Sequence, residues 1–233
     1  MITFKLLGLL LAYPKEELQI HMGDLKTALE DDGLLPAKTK KSLFAFMDDL
    51  ANRDLMEVQE DYVSLFDRGR TLSLYLFEHI HGESRDRGQA MVDLTDHYKA
   101  HGFSLAAKEL PDYLPLFLEF LSQIDIAEAQ ELLGETIHII AGVGAKLKTK
   151  KSGYQHIYWA LQDLTSVKVD EAFLAQAAAE AEKEDTSLEA LDKEWEDTPA
   201  FDGTGDADCG TCPSTIRHSE NNPAANANLA SGH

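Results

Sequence analysis

Apolar positions recur with a period near 3.6 along almost the whole chain, the signature of amphipathic helices. Phe4, Leu7, Leu10 and Leu11 share one face of the opening segment MITFKLLGLLLAYP. Leu43, Phe46, Met47 and Leu50 make a second stripe, in a segment that Pro36 can open at a first-turn position. Val58, Tyr62, Leu65 and Phe66 form a third. A long run follows through Ile126, Ala129, Leu133, Ile137, Ile140 and Gly144, and after it come Tyr154, Ile157, Tyr158, Leu161 and Leu164. No sustained apolar–polar alternation bounded by turn residues occurs, so no strand is predicted. Breaks are expected at Tyr13-Pro14, Asp31-Asp32-Gly33, Arg68-Gly69, His81-Gly82, Gly102, Pro111 and Ser152-Gly153. The pattern predicts an all-α fold, a single-domain helical bundle of about nine or ten helices.

The opening segment raises the question of a membrane or targeting role. Its run from Leu6 to Tyr13 is too short to span a bilayer. It has no small-x-small cleavage site, and Pro14 is followed at once by Lys15, Glu16 and Glu17. A buried first helix is expected, in a soluble, cytoplasmic protein with no direct membrane insertion.

The character changes near residue 180. A helical domain is expected over residues 1–180, an acidic helix or linker with Leu188, Leu191 and Trp195 over 181–197, and a disordered tail rich in Gly, Asp, Asn, Ser and Ala over 198–233. From Glu180 onward there are 13 acidic and 3 basic residues, half of the chain's net charge of −20. That balance excludes a nucleic-acid binder, which needs a positive stripe to displace counterions, and an anionic membrane surface. A cationic partner and plain solubility are both consistent with it. The two cysteines, Cys209 and Cys212, sit together in the tail and cannot make a secreted disulfide scaffold.

Enzyme motifs are missing: no phosphate-binding or dinucleotide-binding glycine loop, no nucleophile elbow and no H-E-x-x-H pair. Gly142-Val143-Gly144 lies inside a helical pattern, where small residues permit close packing. Two groups carry metal-ligand chemistry. Asp93, His97 and His101 fall at i, i+4 and i+8 on one helix face, but no further ligand is specified, and exposed histidines on a helix are the commoner case. Cys209, Cys212 and His218 form an incomplete zinc-like or redox set. No metal ligand set is assigned.

The most unusual stretch is Asp61 to His101, DYVSLFDRGRTLSLYLFEHIHGESRDRGQAMVDLTDHYKAH. It holds four of the six arginines and four of the nine histidines, with aromatics set among carboxylates. Such charges either pair with each other on a solvated surface, for about 0–1 kcal/mol each, or rim a groove that seats a cationic amphipathic helix.

This stretch resembles the central motif of the NarJ-type branch of the twin-arginine redox-enzyme chaperones. The resemblance rests on Tyr62-x-x-Leu65-Phe66-Asp67-Arg68-Gly69-Arg70, on Leu74-x-Leu76-Phe77-Glu78-His79, and on His81 to Met91 (HGESRDRGQAM). Pro111-Asp112-Tyr113-Leu114-Pro115, followed by Leu118-Glu119-Phe120-Leu121, matches a second element of the superfamily. Together the match covers residues 1 to about 180. It implies a helical chaperone, not an enzyme, for the catalytic (alpha) subunit of a molybdenum-containing nitrate reductase. Such a chaperone would bind that subunit's basic amphipathic N-terminus. It would hold it in the cytoplasm while iron–sulfur and molybdenum guanine dinucleotide cofactors are installed, binding no cofactor stably itself, as a monomer or weak dimer.

On this reading Tyr62, Leu65, Phe66, Tyr75 and Phe77 supply an apolar wall or the core beneath it. Asp67, Glu78, Glu83, Asp86 and Glu119 meet basic residues, with His79 beside them. Arg68, Arg70, Arg85 and Arg87 shape the loops, and Asp112 caps the helix after Pro111. The alternatives are a chaperone of the same fold for another molybdoenzyme, such as a dimethyl sulfoxide or trimethylamine N-oxide reductase, and a metal-dependent enzyme using His97 and His101.

Overall fold

A computed structural model describes residues 1–81, 86–105 and 109–183. Glu83, Arg85 and the tail with Cys209, Cys212 and His218 lie outside the described residues. Contacts divide the chain into Met1–Leu188 and Glu189–His233, and only the first unit contains described residues. Its described residues form eleven α-helices: α1 (Ile2–Leu11), α2 (Glu16–Ile20), α3 (Met22–Asp32), α4 (Ala37–Asn52), α5 (Leu55–Phe66), α6 (Leu76–His81), α7 (Asp86–Ala100), α8 (Leu114–Leu121), α9 (Ile126–Thr149), α10 (Gln155–Asp163) and α11 (Glu171–Lys183). A 3-10 turn, Arg70–Leu72, joins α5 to α6.

The fold is all-α: among the described residues there is no strand, only one isolated antiparallel bridge, Tyr75 to Tyr113. The helix count exceeds the expected number because α2 and α6, of five and six residues, are too short to show a period. Several expected breaks coincide with residues the backbone requires. Gly33, just past α3, adopts φ +67°, and Gly102, just past α7, φ +81°, left-handed values that suit glycine.

The core is built from the predicted stripes. Phe4, Leu7, Leu10 and Leu11 of α1 are fully buried, and α1 packs chiefly on α8. The approach is close: a Cβ at Gly8 would stand 2.9 Å from the Pro115 carbonyl oxygen. The opening segment is thus a core helix, and no described helix is long and apolar enough to cross a membrane. Helix α9 packs along its length on α10 and α11. Its Ala129, Leu133, Ile137 and Ile140 are fully buried, and Asp125 caps its N-terminus by accepting from the Ala127 amide at 2.9 Å.

The two glycines in the middle of α9 differ in what they permit. A Cβ at Gly144 would lie 2.9 Å from Tyr158 Cβ on α10, an atom fixed by the backbone, whereas at Gly142 the nearest neighbour is the Phe173 ring edge at 3.5 Å. Gly144→Ala is therefore expected to destabilise the fold by about 1–3 kcal/mol through overpacking. Gly142→Ala should be neutral or stabilising by up to about 1 kcal/mol through helix propensity. Urea unfolding of the two variants checks this, and equal effects would contradict it.

Candidate functional site

The two sequence motifs meet in space. Leu114 N–H donates to the Leu74 carbonyl at 2.8 Å, and Leu76 N–H to the Asp112 carbonyl at 3.0 Å, so the segment before α6 and the segment before α8 are clipped together. The Asp112 carboxylate, fully buried, accepts from the Phe77 amide at 3.0 Å. It caps α6, not the helix after Pro111. The physical reason is that the Leu114 amide is already taken by Leu74, and Pro115, next on α8, has no N–H. Burial pushes the Asp112 carboxyl above its ordinary range, against the opposing pull of the Phe77 amide and the Arg87 guanidinium. Its second oxygen, Oδ1, is buried without a hydrogen bond among the described residues.

Around this clip the sequence-predicted residues separate into two groups. Downstream, Glu78 and Arg87 form an ion pair at 3.3 Å that ties α6 to α7. His79 Nε2–H donates to the Ser73 carbonyl at 2.9 Å, and burial lowers its pKa. Tyr75 stacks against Tyr113 with ring centroids 5.4 Å apart. Its hydroxyl donates to Glu109 at 3.3 Å, and burial, then the Glu109 charge, pushes the phenol up to about 12. Phe77 is half-buried against the core, while Asp86 is exposed at the start of α7. Glu119 lies apart from all of these, on α8, exposed and paired with Lys5 at 3.2 Å.

Upstream, Tyr62 and Phe66 point inward from α5. Both are buried, with ring centroids 6.0 and 5.1 Å from that of Tyr154, and Tyr62 donates to the Leu11 carbonyl at 2.8 Å. Leu65 is half-buried, and Asp67, Arg68 and Arg70 are exposed. The outer face of α5 carries a second stripe at helical spacing, Met56, Glu60 and Val63, with Asp67 one turn on. A cavity of about 630 Å³ is lined by Met56, Glu60 and Val63 together with Tyr13, Asp61 and Arg68. Met56 is 68% exposed and Tyr13 44%, so this seat is partly apolar. A neighbouring cavity of about 330 Å³ shares Asp61 and brings Leu65, Arg53 and the cations Lys150 and Lys151.

Three carboxylates surround the one guanidinium of Arg53: Asp61 at 2.7 Å, Asp49 at 3.8 Å and Glu57 at 3.9 Å. Their combined effect, led by the Asp61 hydrogen bond, raises the Arg53 pKa. Sequence reasoning missed Tyr13, Met56, Glu60 and Arg53. The stripe on the outer face of α5 was the available signal, but the apolar inner stripe of the same helix masks it.

The structure also redraws the histidine cluster. Asp93 accepts from Gln89 at 2.7 Å, and the partner of His101 is instead Glu128 of α9, 2.8 Å from its Nε2.

Comparison with known proteins places this helical body in a class. A family model described as nitrate reductase delta subunit matches residues 32–147, a span that takes in α5 and both sides of the clip. The chain belongs to that family. It is 41% identical over 197 residues to the nitrate reductase molybdenum cofactor assembly chaperone NarJ of Escherichia coli (strain K12), covering 84% of this chain and 83% of that protein. It is 39% identical over 193 residues to the "Probable nitrate reductase molybdenum cofactor assembly chaperone NarW" of the same strain, covering 83% and 80% of the two chains. Against the "Probable nitrate reductase molybdenum cofactor assembly chaperone NarJ" of Bacillus subtilis (strain 168) the identity is 31% over 160 residues, 69% of this chain and 86% of that one. These relatives are named as assembly chaperones, not as enzymes.

Two outcomes test the clip. Asp112→Ala should cost about 1–2 kcal/mol, the scale of a lost helix cap, whereas Asp112→Asn, which keeps an acceptor oxygen, should recover more than half of that loss in urea unfolding. His79 adds a pH dependence. Its folded pKa lies below the unfolded value of about 6.5, so the stability it supports is present above that value and is lost as pH falls below it. His79→Gln, which can still donate to Ser73, should flatten the decline in unfolding free energy between about pH 7.5 and 5.5. An unchanged slope would assign that decline to other groups.

Proposed function

We propose that this chain is a dedicated chaperone for a nitrate reductase. It binds the basic amphipathic N-terminal segment of the apo catalytic subunit and holds it in the cytoplasm, before membrane attachment, while the molybdenum and iron–sulfur cofactors are loaded. The observation that carries the reading is the 41% identity over 84% of the chain to a protein named for that assembly role. The outer face of α5 is the seat best matched to such a client. It joins exposed Met56 and Tyr13 to the carboxylates Glu60 and Asp61 around one cavity, with Asp67 at the helix end. Tyr62 and Phe66 support this face from beneath. Long-range attraction by the acidic face steers encounter, and apolar burial sets the dwell time.

Each leucine-sized client side chain buried there contributes about 1.5–3 kcal/mol gross, and ordering the peptide offsets a good part of it. Binding is therefore expected in the micromolar to high-nanomolar range.

The test is calorimetric titration of the full chain with leader peptides from candidate molybdoenzymes. The nitrate reductase leader is expected to bind, and Glu60→Lys with Asp67→Lys should weaken it at least tenfold while leaving the fold intact. Binding only to a dimethyl sulfoxide or trimethylamine N-oxide reductase leader would reassign the client. Undiminished affinity in the double variant would move the seat elsewhere, and no binding to any leader would remove the proposal.

A further inference from the structure

Away from the α5 face, one cluster of side chains is suited to a different ligand. His97 and His101 stand one turn apart on α7, and Glu128 stands in the first turn of α9. One ring nitrogen of each histidine and one Glu128 oxygen lie within 4.8 Å of one another. His101 Nδ1 is 3.0 Å from the His97 carbonyl oxygen, which can only accept, so Nδ1 carries a hydrogen and the second ring nitrogen is the one free to bind. That nitrogen, Nε2, faces Glu128 Oε1 at 2.8 Å. A nitrogen lone pair does not face a carboxylate oxygen at that distance without a positive centre to hold them. A proton on Nε2 provides one, but it serves only two of the three groups. His97 Nε2 is buried without a hydrogen-bond partner among the described residues. A metal ion engages all three side chains.

We infer that His97, His101 and Glu128 form a binding site for a divalent transition-metal ion, with Zn²⁺ as the ion of best fit. Two imidazoles and one carboxylate suit Zn²⁺, whereas Mg²⁺ and Ca²⁺ want oxygen ligands throughout. Histidines at i and i+4 on one helix face are a recurrent half of such sites. The outer contacts orient the ligands as zinc sites require. The Nδ1–H bond of His101 fixes its tautomer, and the rings of His97 and His101 pack edge-on against Phe120 at 5.7 and 5.4 Å. Ligand-to-ligand edges around tetrahedral zinc are about 3.3 Å, to be compared with the 4.8 Å within which these three ligand atoms lie. The fourth position is left to water or to a ligand from a partner.

The consequence is mechanical. Tyr98 is the only buried residue of α7. An ion shared by α7 and α9 fastens the helix that begins at the arginine-rich signature to the central helix of the fold.

The test is titration of the full-length chain with Zn²⁺ against a chromophoric chelator, together with thermal unfolding in the presence and absence of the ion. Because the tail carries Cys209, Cys212 and His218, a Cys209→Ser/Cys212→Ser variant is measured beside the wild type. Both are expected to retain a Zn²⁺ site that raises the thermal midpoint, unaffected by excess Mg²⁺. His97→Gln, which leaves the His101–Glu128 contact in place, should lower the affinity of that site at least tenfold, and Glu128→Gln should do likewise. Unchanged affinity in His97→Gln overturns the inference, as does loss of all Zn²⁺ binding in the Cys209→Ser/Cys212→Ser variant. Independently of how the His97 variant folds, the Cys209→Ser/Cys212→Ser variant should show tetrahedral Co²⁺ absorption bands free of thiolate charge transfer. Their absence at stoichiometric Co²⁺ also overturns it.

Discussion

A helix of six residues has no stability of its own, because nucleation fixes several residues before the first hydrogen bonds form. Helix α6 is such a helix, and Asp112, 35 residues beyond Phe77, reaches its N-terminus to support it. Two supports act at once. The Asp112 backbone carbonyl takes the Leu76 amide and its carboxylate takes the Phe77 amide, so two of the donors left free at a helix start are satisfied from one residue. The position costs something, since a carboxylate there is desolvated and its ionisation is disfavoured. The support reaches further: α6 carries Glu78, and Glu78 pairs with Arg87 in the first turn of α7.

How much of this was legible in the sequence depends on the range of the interaction involved. Periodicity is local, so the stripes of α1, α4, α9 and α10 predicted buried faces that the structure contains, and Gly33 and Gly102 marked real helix ends. The class and the family were likewise readable, the family through the HGESRDRG and PDYLP strings. The cap was misplaced because the local rule assigns an aspartate to the helix that follows it. Nothing in the order of residues says that the Leu114 amide is already engaged by Leu74. The same limit hid Glu128, since i, i+4 spacing shows that His97 and His101 share a face but not what α9 brings against it. Asp93, the neighbour at helical spacing, was the wrong third member. On α5 both faces carry apolar residues, and only the fold tells which side is core.

The sequence left two readings of its charged stretch, self-pairing and a groove, and the proposed function takes the second for the face of α5. Downstream of the clip, among the described residues, Glu78 pairs with Arg87 and His79 hydrogen-bonds Ser73. Upstream, three carboxylates share the single guanidinium of Arg53, with Lys150 and Lys151 lining the same cavity. Exposed pairs of this kind are weak and exchangeable. On the proposed function, a guanidinium arriving on a client competes with Arg53 for Asp61 at little energetic cost.

That exchangeability bears on how a holding protein lets go. An exposed acidic face attracts over about one Debye length, roughly 8 Å at physiological ionic strength, and so affects arrival more than residence. On the proposed function, residence falls to the apolar part of the α5 face, Met56, Tyr13 and Val63. Methionine is flexible and polarizable, and it accommodates differently shaped partners without a deep, slow-releasing pocket. A seat with strong charge and modest grease captures quickly and holds briefly. Deepening the apolar floor would lengthen the hold, and it would also delay release of a client whose next step is to leave. The balance on α5, acid at the rim over a shallow apolar floor, fits the client of the proposed function, one held only until it is handed on.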